Sequence, residues 1–106
     1  MKANELRIGN YYNQFGNERT VTGETIKDLT NAPNEQLWCK PIPLTEEWLL
    51  RFGFEAIDDG WYQKVEFTWN IYDYLVRWNG NVINAQYVHQ IQNLYFALTG
   101  EELTIN

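Results

Sequence analysis

Few side chains in this sequence are equipped for chemistry. His89 is its one histidine and Cys39 its one cysteine. A histidine acts as general base, proton shuttle or ligand only when a second group is held within hydrogen-bond reach, and the residues around His89 supply no such partner. Its expected use is on the surface or in a contact to a partner or ligand. Cys39 carries no sequence signature of thiolate activation, so a buried, inert thiol is expected. One cysteine also means no internal disulfide and no multi-cysteine metal site, which fits a reducing, intracellular setting.

Carboxylates are paired at Glu46-Glu47, Asp58-Asp59 and Glu101-Glu102. The first pair suits the positive end of a helix dipole, the second precedes Gly60 and reads as a turn, and the third belongs to a tail. Asp58-Asp59 lacks the ligand series of a calcium loop, and the chain holds no phosphate loop, dinucleotide fingerprint or serine-nucleophile elbow. The expectation is a protein that is not an enzyme, with no catalytic residue, cofactor or metal.

Recognition chemistry is better represented. Trp, Tyr and Phe make up 16 % of the residues, more than a small core needs, so some rings are expected at the surface. The stretch containing Trp61, Tyr62, Trp69, Tyr72, Tyr74 and Trp78 is the densest. Most of these rings should pack in the core; the remainder could stack on a nucleotide base or a partner's side chain. Trp69, Tyr74 and Trp78 are the rings expected to sandwich a small nucleotide-type ligand. A second candidate surface is a polar helix face formed by His89, Gln92 and Phe96 at i, i+3 and i+7. An exposed Phe96 there implies a cover, with a second copy of the chain as the candidate for a homodimer.

Charge narrows the partners. Eight Lys and Arg against fourteen Asp and Glu leave a net charge of −6, with the basic residues scattered singly. Binding to DNA or RNA depends on clustered cations that displace counterions from phosphates, so no direct nucleic-acid contact is expected. An acidic surface can still meet a basic patch on a protein. The opening MKANELRIGN has no apolar core of the signal-peptide kind, and no run approaches a membrane span. A cytoplasmic protein without membrane contact is expected.

The elements that must position these residues fit one domain over residues 1–106. Residues 5–22 predict two strands joined around Phe15-Gly16-Asn17. Residues 23–36 read as a loop with a short strand near Ile26, and 37–42 as an edge strand ended by Pro41 and Pro43. A helix is predicted over 46–52, with Thr45 as N-cap and Gly53 as left-handed C-cap. Its contact face holds Trp48, Leu49 and Phe52, completed by Leu50 and Phe54.

Alternation across 61–69, with Val65, Phe67 and Trp69 on one side, predicts a half-buried strand. The phase reverses through Tyr72, Tyr74, Val76 and Trp78, which requires a turn or bulge near residues 70–73. Asn79-Gly80 is the strongest hairpin signal. Tyr87, Ile91, Leu94, Tyr95 and Leu98 recur at helical period up to Gly100, and the last six residues fray or add a short strand. The fold class expected is α+β: a twisted or barrel-like antiparallel sheet of about five strands packed with two helices.

Three segments carry a resemblance. They are Glu5-Leu6-Arg7-Ile8-Gly9-Asn10-Tyr11, the run from Pro41-Ile42-Pro43-Leu44 through Trp48-Leu49-Leu50 to Phe52-Gly53-Phe54, and the stretch from Val88-His89 to Glu102-Leu103. Together they resemble a family of small uncharacterised proteins carried by phages, prophages and mobile elements of gut bacteria. The resemblance implies an origin and assigns no activity or site residue. With the composition, it makes an accessory protein acting on a host protein the expected function, a defence component being one such target. A sponge or sensor for a small nucleotide-type ligand is the alternative.

Overall fold

The computed structural model describes residues 5–31, 38–64, 66–78 and 80–105. Their elements run β1 (Tyr11–Gln14), β2 (Asn17–Thr20), α1 (Gly23–Asn31), α2 (Glu46–Arg51), β3 (Glu55–Asp58), β4 (Trp61–Lys64), β5 (Phe67–Asn70), β6 (Leu75–Trp78), β7 (Asn81–Asn84) and α3 (Val88–Thr99). The fold is α+β, with an antiparallel meander in the order β3-β4-β5-β6-β7 and a separate β1-β2 hairpin. The five-stranded sheet is open rather than barrel-like; α2 and α3 pack on it, and a third helix among the described residues, α1, belongs to a separate cluster.

The first hairpin turns on Phe15 and Gly16, whose φ angles of 50° and 88° are those of a tight turn matched to strand twist. Beyond it the structure departs from the expected loop and short strand, because residues 23–31 are helical. The Thr22 hydroxyl accepts from the Thr25 amide (3.3 Å) and the Thr25 hydroxyl accepts from the Thr22 amide (3.1 Å). This reciprocal pair satisfies donors that an uncapped helix start leaves open. Thr25 and Leu29, one turn apart, are buried. Leu29 closes a small second core with Leu6, Tyr12, Val21 and Cys39. Pro33 and Leu37 lie outside the described residues.

No strand forms over 38–42. Lys40 makes an isolated bridge to Asn13, and Pro43 another to Tyr87. In α2, Thr45 holds the N-cap position without a side-chain cap bond, and Glu46 and Glu47 occupy the first turn. Gly53 (φ 89°) ends the helix: its amide donates to Leu50 O and the Phe54 amide to Leu49 O, closing two orphan carbonyls. Trp48, Leu49, Phe52 and Phe54 enter the main core, whereas Leu50 stays half exposed.

The expected single strand over 61–69 is two strands. Lys64 pairs with Phe67, so the chain reverses between these two residues, with neither Gly nor Pro to announce it in the sequence. Val65 lies outside the described residues. A further strand, β3, joins through a register shift between Ala56 and Asp58. The phase change near residues 70–73 is a turn held by Asn70, whose Oδ1 accepts from the amides of Tyr72 and Asp73. Trp78 pairs with Asn81 across the last hairpin, where Gly80 has φ 83°; Asn79 is outside the described residues.

Registers across the meander place Tyr62, Lys64, Phe67, Trp69, Val76, Trp78 and Ile83 on one face. That face meets Trp48, Leu49 and Phe52 of the α2 region and Val88, Ile91 and Tyr95 of α3. Lys64 reaches out along it to donate to Phe52 O. Helix α3 ends at Gly100 (φ 78°) as its periodicity predicts. The described tail, residues 101–105, forms no strand, but Leu103 is buried in the main core.

Candidate functional site

Helical spacing sets His89, Gln92, Asn93 and Phe96 along one side of α3. The structure corrects the expectation that this side faces solvent: His89 is 3 % and Gln92 1 % exposed. Gln92 is covered by the chain's own N-terminal segment. Gln92 Oε1 accepts from the Tyr11 amide (2.9 Å) and its Nε2 donates to Gly9 O (3.1 Å). Asn93 Oδ1 accepts from Arg7 Nε (2.9 Å) and Asn10 Nδ2 (2.8 Å), while its Nδ2 donates to Glu5 O (3.0 Å). Arg7 also pairs with Glu102 and lays its guanidinium 4.2 Å from the Phe96 ring centre. Phe96 remains 39 % exposed beneath that cation. The signal available in sequence was the recurrence of amides at Asn10, Gln92 and Asn93, of which Asn10 and Asn93 bond to each other and Gln92 to backbone groups.

The two reactive residues are enclosed. Burial pushes the His89 imidazole below its ordinary value against a smaller opposing pull from Glu5, so the ring is neutral near pH 7. It stacks on Tyr87 with centroids 6.1 Å apart, and its Nδ1 has no hydrogen-bond partner. Cys39 is fully buried, and burial raises its thiol, which keeps the nucleophilic thiolate scarce. Among the described residues no group of three or more His, Cys, Asp or Glu is placed to hold a metal ion. No described helix is long and apolar enough to cross a membrane.

The aromatic meander divides by face. Trp69 is fully buried and donates its indole N–H to Ala85 O (3.0 Å). Trp78 packs against Phe67 at 6.0 Å on the same side. The expected sandwich of Trp69, Tyr74 and Trp78 is therefore unavailable, because period-two alternation sends Trp69 and Trp78 into the core. Tyr74 sits at the rim, 40 % exposed, with its ring 6.1 Å from Trp69.

Opposite the helices, the registers align Glu55, Gln63, Thr68, Arg77 and Val82 in one row and Asp58, Trp61 and Asn70 in the next. Most of these are exposed or half-buried; Asn70, curled over its turn, is the buried exception. Arg77 lays its guanidinium 4.5 Å from the Trp61 ring centre, and Val82 is 56 % exposed. Tyr72 extends this surface at 71 % exposure. Its hydroxyl donates to Asp59, which raises the phenol, and its ring rests where a Cβ on Gly60 would collide. The candidate site is this bare face, with Trp61, Arg77, Val82 and Tyr72 as its contact residues; Arg77 and Val82 were not among the sequence candidates.

A shallow depression of about 230 Å³ touches the margin of this face at Glu55 and Gln63, and others lie elsewhere. One of about 440 Å³ is lined by Phe15, Gly16, Lys40 and Pro41, and one of about 430 Å³ lies between β7 and α3. Neither contains a ring of the meander. Comparison of the chain with family models, curated proteins and solved structures yields no match.

Proposed function

We propose that this chain is a non-enzymatic accessory protein of a phage or mobile element that binds a host protein, a defence component being one fitting target, through the bare face of its five-stranded sheet. The observation that carries this reading is the one-sided cover of the sheet: helices and their aromatic core on one face, and Trp61, Arg77, Val82 and Tyr72 left in contact with water on the other. Large rings held rigidly at a surface lose little entropy on binding and are the usual anchors of protein contacts. The sheet and its turns, residues 55–84, contain five acidic and two basic residues, which suits a basic partner surface. The phage or mobile-element origin rests on the three sequence segments that resemble that family. A non-catalytic role is supported by the burial of His89 and Cys39, and the nucleotide alternative loses support with Trp69 enclosed.

Affinity capture from a gut-bacterial lysate, followed by reconstitution with the purified captured protein, tests the reading. Trp61→Ala combined with Tyr72→Ala should weaken the reconstituted complex about thirtyfold, the scale of a lost interface anchor. Equal binding by this variant, or thermal stabilisation by a nucleotide with no protein captured, would overturn it.

A further inference from the structure

The two edges of the five-stranded sheet are finished differently. At one edge, β3 carries Glu55 and Asp58 and an irregular register between Ala56 and Asp58, features that discourage another strand from pairing. At the other edge, β7 reads Asn81-Val82-Ile83-Asn84, with no charge, proline or register shift. Antiparallel pairing alternates hydrogen-bonded and non-bonded pairs. The Ala85 amide donates to Tyr74 O (2.8 Å), so Ala85·Tyr74, Ile83·Val76 and Asn81·Trp78 are the bonded pairs. By alternation the backbone N–H and C=O of Val82 and Asn84 point away from the sheet.

Beside this unprotected edge lies the depression of about 430 Å³ between β7 and α3, lined by Ile83 and Asn84 on one side and His89, Gln90 and Leu94 on the other. Ile83 and Leu94 make it apolar at its sides. His89, 97 % buried, adds part of its imidazole ring to the wall. Glu5, at the margin, is the one charged residue among its described lining residues. A row of outward backbone groups next to a side-chain cavity is the arrangement by which sheets accept an added strand: the ladder supplies affinity and the cavity supplies sequence preference. The bare face, about 24 Å by 13 Å from strand spacing and length, is also smaller than the roughly 800 Å² that each partner commits to a stable complex. A contact that continues over the β7 edge supplies the missing area.

We propose that β7 accepts an extended segment of a partner protein as a sixth strand, with an aliphatic side chain seated between Ile83 and Leu94 and Lys or Arg flanking it. The positive flanks follow from the chain's net charge of −6 and from Glu5 at the cleft margin. The proposal rests on the protein-binding reading, but not on Trp61 or Tyr72 as its anchors.

The test uses the full chain and a displayed library of random ten-residue peptides. Selected peptides should place an aliphatic residue between basic ones and should slow hydrogen exchange at the Val82 and Asn84 amides. Val82→Pro removes an outward donor without touching the internal ladder, and should weaken binding about tenfold. Methylating alternate backbone nitrogens of the peptide should weaken binding comparably, with no change to the protein. Selection of no peptide, or of peptides indifferent to both changes, overturns the proposal. So does a dimer that Val82→Pro converts to monomer, since a second copy would then occupy the edge. Loss of lysate-protein binding by the Trp61→Ala, Tyr72→Ala variant alone bears on the bare face and leaves the β7 result to be read separately.

Discussion

Replacing Gln92 by Leu isolates the latch between the N-terminal segment and α3. The two side chains are close in volume, so the change removes polar partners without opening a large cavity. Gln92 satisfies the Tyr11 amide and the Gly9 carbonyl at 2.9 and 3.1 Å from a position 1 % exposed. An orphaned buried polar group costs about 1–3 kcal/mol. Gly9 and Tyr11 are half-buried rather than enclosed, which puts each near the lower half of that range. The expected loss is about 2–4 kcal/mol, a large share of the roughly 5–15 kcal/mol that holds a domain of this size. Urea unfolding followed by tryptophan fluorescence measures it, and amide exchange of residues 6–14 should quicken in parallel. A loss below about 0.5 kcal/mol with unchanged exchange would mean that the segment is not held on α3 by Gln92.

Other consequences are as direct. Leu29→Ala should cost about 2–4 kcal/mol in the same unfolding assay, because Leu29 closes the second core from α1; a change under about 1 kcal/mol would contradict the helix at residues 23–31. Gly60→Ala places a side chain at φ 76° and against the Tyr72 ring, and should cost about 2 kcal/mol and shift the Tyr72 proton resonances; unchanged resonances would refute that packing. Burial holds folded His89 below its ordinary value near 6.5, so the unfolded chain takes up that proton first as pH falls. Its contribution is therefore complete above about pH 7 and declines as pH drops through roughly 6.5 toward the folded value. Stability should fall between pH 7.5 and 5.5, and His89→Gln should flatten that slope. Glu18, lowered by its hydrogen bond from Arg51, loses its contribution only in the carboxylate range, well below this window. An identical slope in the variant would contradict the burial of His89.

Features governed by local chemistry were the legible ones. Phe15-Gly16, Gly53, Gly80 and Gly100 each stand at positive φ where the sequence places a turn or helix end, since backbone conformation there depends on the residue itself. The stripe from Ile91 to Leu98 reads directly as α3 because packing demands its period. Residues 23–31 hid their helix because the cap is made by two threonines and the buried face by Thr25 and Leu29 alone. The reversal between Lys64 and Phe67 was invisible because alternation in the sequence continues unbroken across it, with Lys64 on the inward face where an apolar residue is expected. Which aromatics face water depends on register between strands: Trp69 and Trp61 look alike in sequence, and only pairing with Tyr62 and Val76 puts Trp69 inside. The fate of Gln92 depended on contacts about eighty residues away, which periodicity cannot report.

The bare face of the sheet can be interrogated at its centre. A photoreactive side chain at Thr68, half-buried on the middle strand of that face, compares directly with one at exposed Lys27 on α1. Irradiation in the presence of the captured host protein should give a single adduct from position 68 and none from position 27. An adduct from position 27 with none from 68 would contradict the bare face as the place of contact.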